Sequence, residues 1–375
     1  MVEHSLSDRR GLARAITHHD SQMHERLLAD FQLKKPAALA RAVSIVENHR
    51  PGFEALLGEL HPRLGRSRRI GITGPPGAGK STLTARLVAL YRSRGLTVAV
   101  IAVDPTSPFT GGALLGDRIR MEDVALDPGV FIRSMATRGS LGGLASSTRE
   151  VADVIDAFGF DRIIIETVGV GQSELDISRT ADSSVVVLVP ESGDSIQTLK
   201  AGLMEIADIF VINKADRPGS DRLRNEIELM LGLRIGHTFR NIPSHHGVDL
   251  KRLANPVKMA RAAAVDTEAE KWTPSVLATS AVKNEGVETV ADAIDRHFTY
   301  LEQSGALRER RWRRLRQRVI EVVEHRVRKR LWDDFGTNAW LDERLESLDS
   351  GVLTPFVAAD ELLRRSGDLM TRMDS

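Results

Sequence analysis

The run Gly71-Ile-Thr-Gly-Pro-Pro-Gly-Ala-Gly-Lys-Ser-Thr82 brings glycines, a lysine and three hydroxyls together at a spacing suited to phosphate chemistry. Gly74, Gly79, Lys80 and Ser81 satisfy the pattern G-x-x-x-x-G-K-[ST] of a phosphate-binding loop. Glycine is needed because the backbone N–H groups must come close to phosphate oxygens, and a Cβ would obstruct that approach. Gly77, Ala78 and Thr82 complete the cradle. The helix that follows points the positive end of its dipole at the same phosphates. Lys80 is placed to neutralise β/γ-phosphate charge, and the Ser81 hydroxyl to hold Mg²⁺. This stretch binds a nucleoside triphosphate.

Acids occur where such a loop needs them. Asp104 closes an apolar run, and the glycine- and proline-rich segment after it ends at Asp117. Two acids with hydroxyls between them suit a loop near Mg²⁺. Glu166 ends another apolar run and precedes Thr-Val-Gly169-Val-Gly-Gln172. A carboxylate there can hold Mg²⁺ directly or through water, and the Gly169 N–H can sense the γ-phosphate. Gln172 and Asp117 are both candidates to orient the attacking water, as is a group supplied by a partner.

Asn213-Lys214-Ala215-Asp216 identifies the base. A carboxylate accepts from the guanine N1–H and the exocyclic N2 amino group, whereas adenine has no N1–H. The wrong base leaves a buried acceptor unpaired, at a cost of roughly 1–3 kcal/mol. Further on, Thr279-Ser280-Ala281 stands where GTPases place the loop around the guanine carbonyl, with the Ala281 N–H as donor. The nucleotide is therefore read as GTP/GDP.

These residues need a scaffold. Ile70 and Ile72 alternate into a short strand, and Leu83, Leu87 and Leu90 recur at helical spacing. Unbroken apolar runs at 97–103, 162–165, 184–189, 209–212 and 275–278 predict strands covered on both faces, hence a mostly parallel sheet. Helical stretches, 142–158 and 195–206 among them, lie between. The fold class is α/β, a doubly wound domain with its ligand at the carboxyl ends of the strands.

Three segments are predicted: a helical arm over 1–66, the nucleotide domain over 67–300 and a helical arm over 301–375. In the first, 10–17 and 37–44 share a faint similarity that amphipathic patterning explains as well as duplication does. The segment 233–272, with His237, His245 and His246, reads as an inserted loop whose histidines are solvated. In the last arm, Arg308 to Arg330 is rich in arginine, and Trp312, Leu315, Val319, Val322, Val323, Val327 and Leu331 follow steps of three and four. That is one long helix with an apolar stripe and a basic face. The stripe suggests packing, for example in a dimer, and no motif supports nucleic-acid binding.

Composition narrows the class. The 375 residues carry 42% apolar and 27% charged side chains, a net charge of +1 and no cysteine. Disulfides and thiolate metal sites are thereby excluded. No apolar run approaches the ~20 residues of a membrane span, and the first ten residues contain Glu3 and Asp8 rather than a signal core. The expectation is a cytoplasmic protein without a membrane partner.

Taken together, Gly71 to Thr82, Val103-Asp-Pro, Thr110 to Asp117, Glu166 to Glu174, Asp194, Ile196-Gln197 and Lys200 to Asp216 make the chain resemble the MeaB/ArgK/MMAA family of GTPases. The resemblance covers roughly 35–330. It implies a P-loop GTPase domain of the signal-recognition and MinD-like (SIMIBI) class with helical arms, the C-terminal one dimerising. It further implies that Asp104, Asp117 and Glu166 surround Mg²⁺ with Ser81, and that Asn213, Lys214, Asp216 and the Ser280-Ala281 pair hold guanine. The function implied is chaperoning an adenosylcobalamin-dependent acyl-CoA mutase, gating cofactor loading and protecting that enzyme. The loop 190–200 matches the family's extra switch, although it reads Pro190-Glu-Ser-Gly-Asp194 in place of the commoner Pro-Gly-Ala-Gly-Asp. The histidine-containing insertion is similar to GTPase domains fused to cobalamin mutases such as isobutyryl-CoA mutase. The chain has no cobalamin-binding D-x-H-x-x-G, so cobalamin would sit on the partner. A metal-delivery GTPase and a kinase of amino-acid transport are the alternatives of the same fold.

Overall fold

The computed structural model describes residues 22–105, 121–137, 145–167, 176–190, 201–235, 272–334 and 336–372. Asp117, Gly169 and Gln172 lie outside these residues, as do the extra switch at 191–200 and the histidines of the insertion. The chain divides into two compact units, with the boundary between Leu307 and Arg308.

In the first unit, seven strands form one parallel sheet: β1 (Arg68–Thr73), β2 (Val98–Pro105), β3 (Val130–Thr137), β4 (Arg162–Thr167), β5 (Ser183–Leu188), β6 (Ile209–Ile212) and β7 (Ser275–Ala278). Their order is β3-β2-β4-β1-β5-β6-β7, with the phosphate-loop strand β1 at the centre. Every residue of β4, β5 and β6 is buried, as unbroken Ile and Val runs require in a sheet covered on both sides. Each buried Ile or Val side chain contributes ~1.5–3 kcal/mol of burial free energy, so this layer dominates the unit's stability.

β3 is not among the expected strands. Its sequence Val-Phe-Ile-Arg-Ser-Met-Ala-Thr mixes polar with apolar residues because it forms the sheet edge, pairing among the described residues with β2 alone. Its Arg133 reaches Glu47 in an ion pair.

The helices before β1 share the sheet's core. These are α1 (22–32), α2 (Pro36–Glu47) and α3 (Phe53–Leu60). Phe31, Leu39, Val43, Val46 and Leu56 are buried in one cluster with Ile163 and Ile165 of β4 and with Val151 and Ile155 of α6 (Ala145–Phe158), the short α5 being Glu122–Ala125. On the opposite face, Leu83, Leu87 and Tyr91 of α4 (Lys80–Ser93) pack with Val290, Ile294 and Phe298 of α9 (Val287–Gln303) against β1, β5 and β6. The intervening helices α7 (Ala201–Ile206) and α8 (Ser220–Ile235) cover β6 and β7 through Leu203, Leu223 and Ile227.

The second unit is helical. It contains most of α10 (Ala306–Lys329), followed by one π-helical turn at Arg330–Asp334. Then come α11 (Thr337–Asp342), α12 (Leu345–Asp349) and α13 (Pro355–Arg372), where the sequence suggests one helix near 340–348 and another at 355–365. Trp340, Ala358 and Leu362 form a small core with Arg344 over the Trp340 ring. No residue of α10 is buried. Among the described residues no helix is long and apolar enough to cross a membrane.

Candidate active site

Parallel strands end together, and here their carboxyl ends carry the residues singled out by sequence. β1 runs directly into the phosphate loop. Gly74, at φ +135°, sits where a Cβ would overlap the Val187 carbonyl of β5, so the loop's departure from the sheet demands glycine. Gly77 and Gly79 also adopt positive φ, and Gly79 is the cap residue from which α4 begins. α4 thus begins at the loop, with the positive end of its dipole toward it.

Lys80 folds back across the loop, its Nζ donating to the Gly74 carbonyl at 2.8 Å and the Pro75 carbonyl at 3.0 Å. The ammonium group thus occupies the hollow that the glycine backbone encloses. Beneath it, the Ser81 hydroxyl donates to Glu166 Oε1 at 2.6 Å, both side chains buried. They meet because β1 and β4 are paired with Ile72 opposite Glu166. The Thr167 hydroxyl donates to Thr73 Oγ1 at 2.9 Å, joining the same two strand ends one residue further along. Asp104 lies two residues past Ala102, the β2 residue level with Glu166, so its backbone stands at the same end of the sheet. A hydroxyl and a carboxylate are hard oxygen donors of the kind Mg²⁺ selects, and the pair fits that ion.

The base-binding segments meet at the ends of β6 and β7. Asn213 is buried at this junction. Its Nδ2 donates to the Ala78 carbonyl at 2.8 Å, tying it to the phosphate loop. Its Oδ1 accepts from the Thr279 hydroxyl at 3.2 Å and the Ala281 N–H at 3.1 Å. One amide side chain therefore holds the phosphate and base loops together, and Gly79 lies so close that a Cβ there would strike Nδ2. The Ala281 N–H, which the sequence reading directs at the base carbonyl, donates to Asn213 Oδ1 in this structure. Lys214 follows in the left-handed region at φ +57°.

Asp216 is one-third exposed, and its Oδ2 lies 3.2 Å from the Lys283 ammonium group. That lysine, together with the carboxylate's own backbone N–H and Ser280, holds the Asp216 carboxyl below the usual carboxylate range. Ser280 and Glu285 exchange backbone hydrogen bonds at 3.1 Å each, closing a turn through Asn284 at φ +61°. Arg86 of α4 braces the turn from below, donating to the Ala281 carbonyl at 3.2 Å and the Val282 carbonyl at 3.4 Å. Neither Lys283 nor Arg86 stands out in the sequence. Lys283 lies outside every motif, and Arg86 looks like any solvated helix residue.

The arrangement offers a cationic, glycine-lined cradle at one end and a carboxylate at the other, joined through Asn213. Such an arrangement has the chemistry to take phosphate at the start of α4 and a hydrogen-bonding base beyond the ends of β6 and β7.

Similarity to known proteins identifies the family. The family model of the methylmalonyl Co-A mutase-associated GTPase MeaB matches residues 39–335. A relative from Pyrococcus abyssi is 43% identical over 347 residues, which are 91% of this chain and 96% of that protein. The GTPase ArgK of Escherichia coli is 34% identical, with coverage of 85% and 89%. The mitochondrial methylmalonic aciduria type A homolog of Caenorhabditis elegans is 31% identical, with coverage of 93% and 84%. Among solved structures, a LAO/AO transport system kinase superimposes with a TM-score of 0.62 at 27% identity, covering 92% of this chain and 98% of its own. The chain belongs to the MeaB family of methylmalonyl-CoA mutase-associated GTPases, and its enzymatic activity is that of a GTPase.

Proposed function

We propose that this chain is a Mg²⁺-dependent GTPase that serves as chaperone to an adenosylcobalamin-dependent acyl-CoA mutase, gating cofactor loading and protecting the enzyme. The observation that carries the proposal is the match over 39–335 to a family of mutase-associated GTPases. The name of the C. elegans relative, a methylmalonic aciduria type A homolog, points the same way.

The chemistry assigned is attack of water on the γ-phosphorus with cleavage of its bond to the bridging oxygen, which leaves on GDP. Little of this is covalent work for the protein; positioning and charge neutralisation carry it. Lys80 would leave the Gly74 and Pro75 carbonyls and take the β- and γ-phosphate oxygens. Ser81, with Glu166, Asp104 and Asp117 around it, would hold Mg²⁺, which supplies further neutralisation of phosphate charge. Gly169 and Gln172 would face the γ-phosphate, and Asn213, Lys214, Asp216, Ser280 and Ala281 would position guanine. Thr82 and the N–H groups from Gly77 onward would complete the phosphate cradle.

The proposed protein is a cytoplasmic homodimer built through the C-terminal arm. Trp312, Leu315, Val319, Val323 and Val327 of α10 are all exposed along one stripe, at 61% for Trp312 and 63% for Val319. Covering such a stripe with a second copy removes apolar area from water at ~25 cal/mol per Å². The three-part division at 66 and 300 is retained as the functional layout: an N-terminal arm, the GTPase domain and this dimerising arm. A second reading draws on the superimposable protein, which is named as a transport system kinase.

One experiment separates them. GTP hydrolysis by the purified protein is measured alone and with acyl-CoA mutases of the same organism, following labelled γ-phosphate. A severalfold stimulation by one mutase is expected, with phosphate appearing in water. No response to any mutase refutes the chaperone assignment, and label retained on protein favours the kinase.

A further inference from the structure

We propose that Arg86 of α4 is a positioning residue for guanine recognition: its guanidinium group holds the loop after β7 at a fixed distance from the phosphate cradle. This role rests on the guanine site proposed above and deepens it.

The loop needs such a hold. Ser280 is secured by its two backbone hydrogen bonds with Glu285, and Ala281 is buried at 1% exposure. Beyond Ala281 the burial gives out. Val282 is 75% exposed and the Lys283 side chain half exposed, so the outward part of the turn has little apolar burial to fix it. A segment with few buried contacts opens at low cost unless hydrogen bonds restrain it.

Arg86 supplies the restraint. Its Nε donates to the Ala281 carbonyl at 3.2 Å and its Nη2 to the Val282 carbonyl at 3.4 Å. These two donors lie side by side on one edge of the planar guanidinium group, so they fix the carbonyls relative to each other as well as to α4. Among the described residues both hydrogen bonds of the side chain go to this turn, and none to a carboxylate. The Ala281 carbonyl also accepts from the Asn284 N–H at 3.3 Å, a contact internal to the turn that cannot set its distance from the helix.

The helix behind the clamp is firmly seated. α4 begins at Lys80, and Leu83, Leu87 and Tyr91 on either side of Arg86 are fully buried. At 1.5 Å per residue, Arg86 stands about 9 Å along the axis from Lys80. One rigid element therefore carries the phosphate-binding lysine at its start and the grip on the base loop along its length. Asn213 joins the same two loops from the buried side, and Arg86 joins them from the solvent side. A lysine at 86 would offer a single point donor and hold one carbonyl at a time.

The test measures dissociation constants of the full chain for GTP, ATP and inorganic tripolyphosphate, with Arg86→Met and Arg86→Lys beside the wild type. Tripolyphosphate reports on the phosphate cradle alone, and ATP presents a base that the loop does not read. Arg86→Met is expected to weaken GTP roughly fivefold, as loss of one net hydrogen bond implies, and to leave ATP and tripolyphosphate unchanged. Preference for GTP over ATP then falls by the same factor, with Arg86→Lys between Arg86→Met and wild type. A GTP-to-ATP preference that survives whole in Arg86→Met overturns the proposal and leaves the guanine site standing. Equal weakening of all three ligands also overturns it, since Arg86 would then support the fold or the phosphate cradle rather than the base loop. A wild type that fails to prefer GTP over ATP overturns the guanine site itself.

Discussion

Replacing Asn213 by Ala deletes one side chain and strands three buried partners. The Ala78 carbonyl loses its donor, and the Thr279 hydroxyl and Ala281 N–H lose their shared acceptor. Ala78, Thr279 and Ala281 are each 2% exposed or less, so bulk water does not reach them in the folded state. A buried polar group left unpaired costs about 1–3 kcal/mol, the lower end applying where a water molecule enters the vacated volume. Three such groups predict a loss of about 3 kcal/mol in unfolding free energy. The same junction holds the phosphate and base loops in register, so part of the penalty reappears in nucleotide binding. About 1.4 kcal/mol of it corresponds to a tenfold weaker GTP affinity.

Thr279→Val calibrates the argument. It removes one donor while Asn213 Oδ1 keeps the Ala281 N–H, and should cost about 1 kcal/mol or less. Urea unfolding of wild type and both variants, with calorimetric titration of GTP, measures the two quantities. An Asn213→Ala loss below about 1 kcal/mol, or one equal to that of Thr279→Val, refutes the claim that the side chain is a three-way junction.

Two further perturbations probe the remaining charge work. Lys80→Ala removes the cation from the phosphate cradle and should weaken GTP roughly a hundredfold or more, as loss of a charge-assisted phosphate contact implies; micromolar affinity retained in a direct titration would contradict its role. At the other end of the sheet, burial pushes the Asp156 carboxyl up, yet the Arg69 charge and the N–H groups of Ser67 and Gly65 outweigh it and hold the carboxyl below its usual range. A depressed folded-state value means stability present above the unfolded value, about pH 3.9, and lost as pH falls through the folded one. Asp156→Asn should therefore be less stable than wild type at about pH 7, with the gap closing below about pH 4 in urea titrations. A gap independent of pH would show that the carboxylate's charge contributes nothing.

The phosphate loop is legible in sequence because its chemistry is local: Gly74 to Ser81 are consecutive, and each glycine answers a backbone demand that the structure displays. Glu166 and Asn213 are legible for a different reason. Apolar runs mark strands, parallel strands end on one side, and polar residues just past those runs must gather there. What joins them is less visible. Ser81 and Glu166 lie 85 positions apart and touch because β1 and β4 pair in one register among those available. β3 escapes notice because an edge strand needs no continuous apolar run, and α2 looks like a detached arm although its Leu39 and Val43 are as buried as the sheet. The base loop is the clearest case. A motif places Ala281 near guanine, but which N–H is free depends on where the Asn213 amide points, and that is decided by a carbonyl in the phosphate loop.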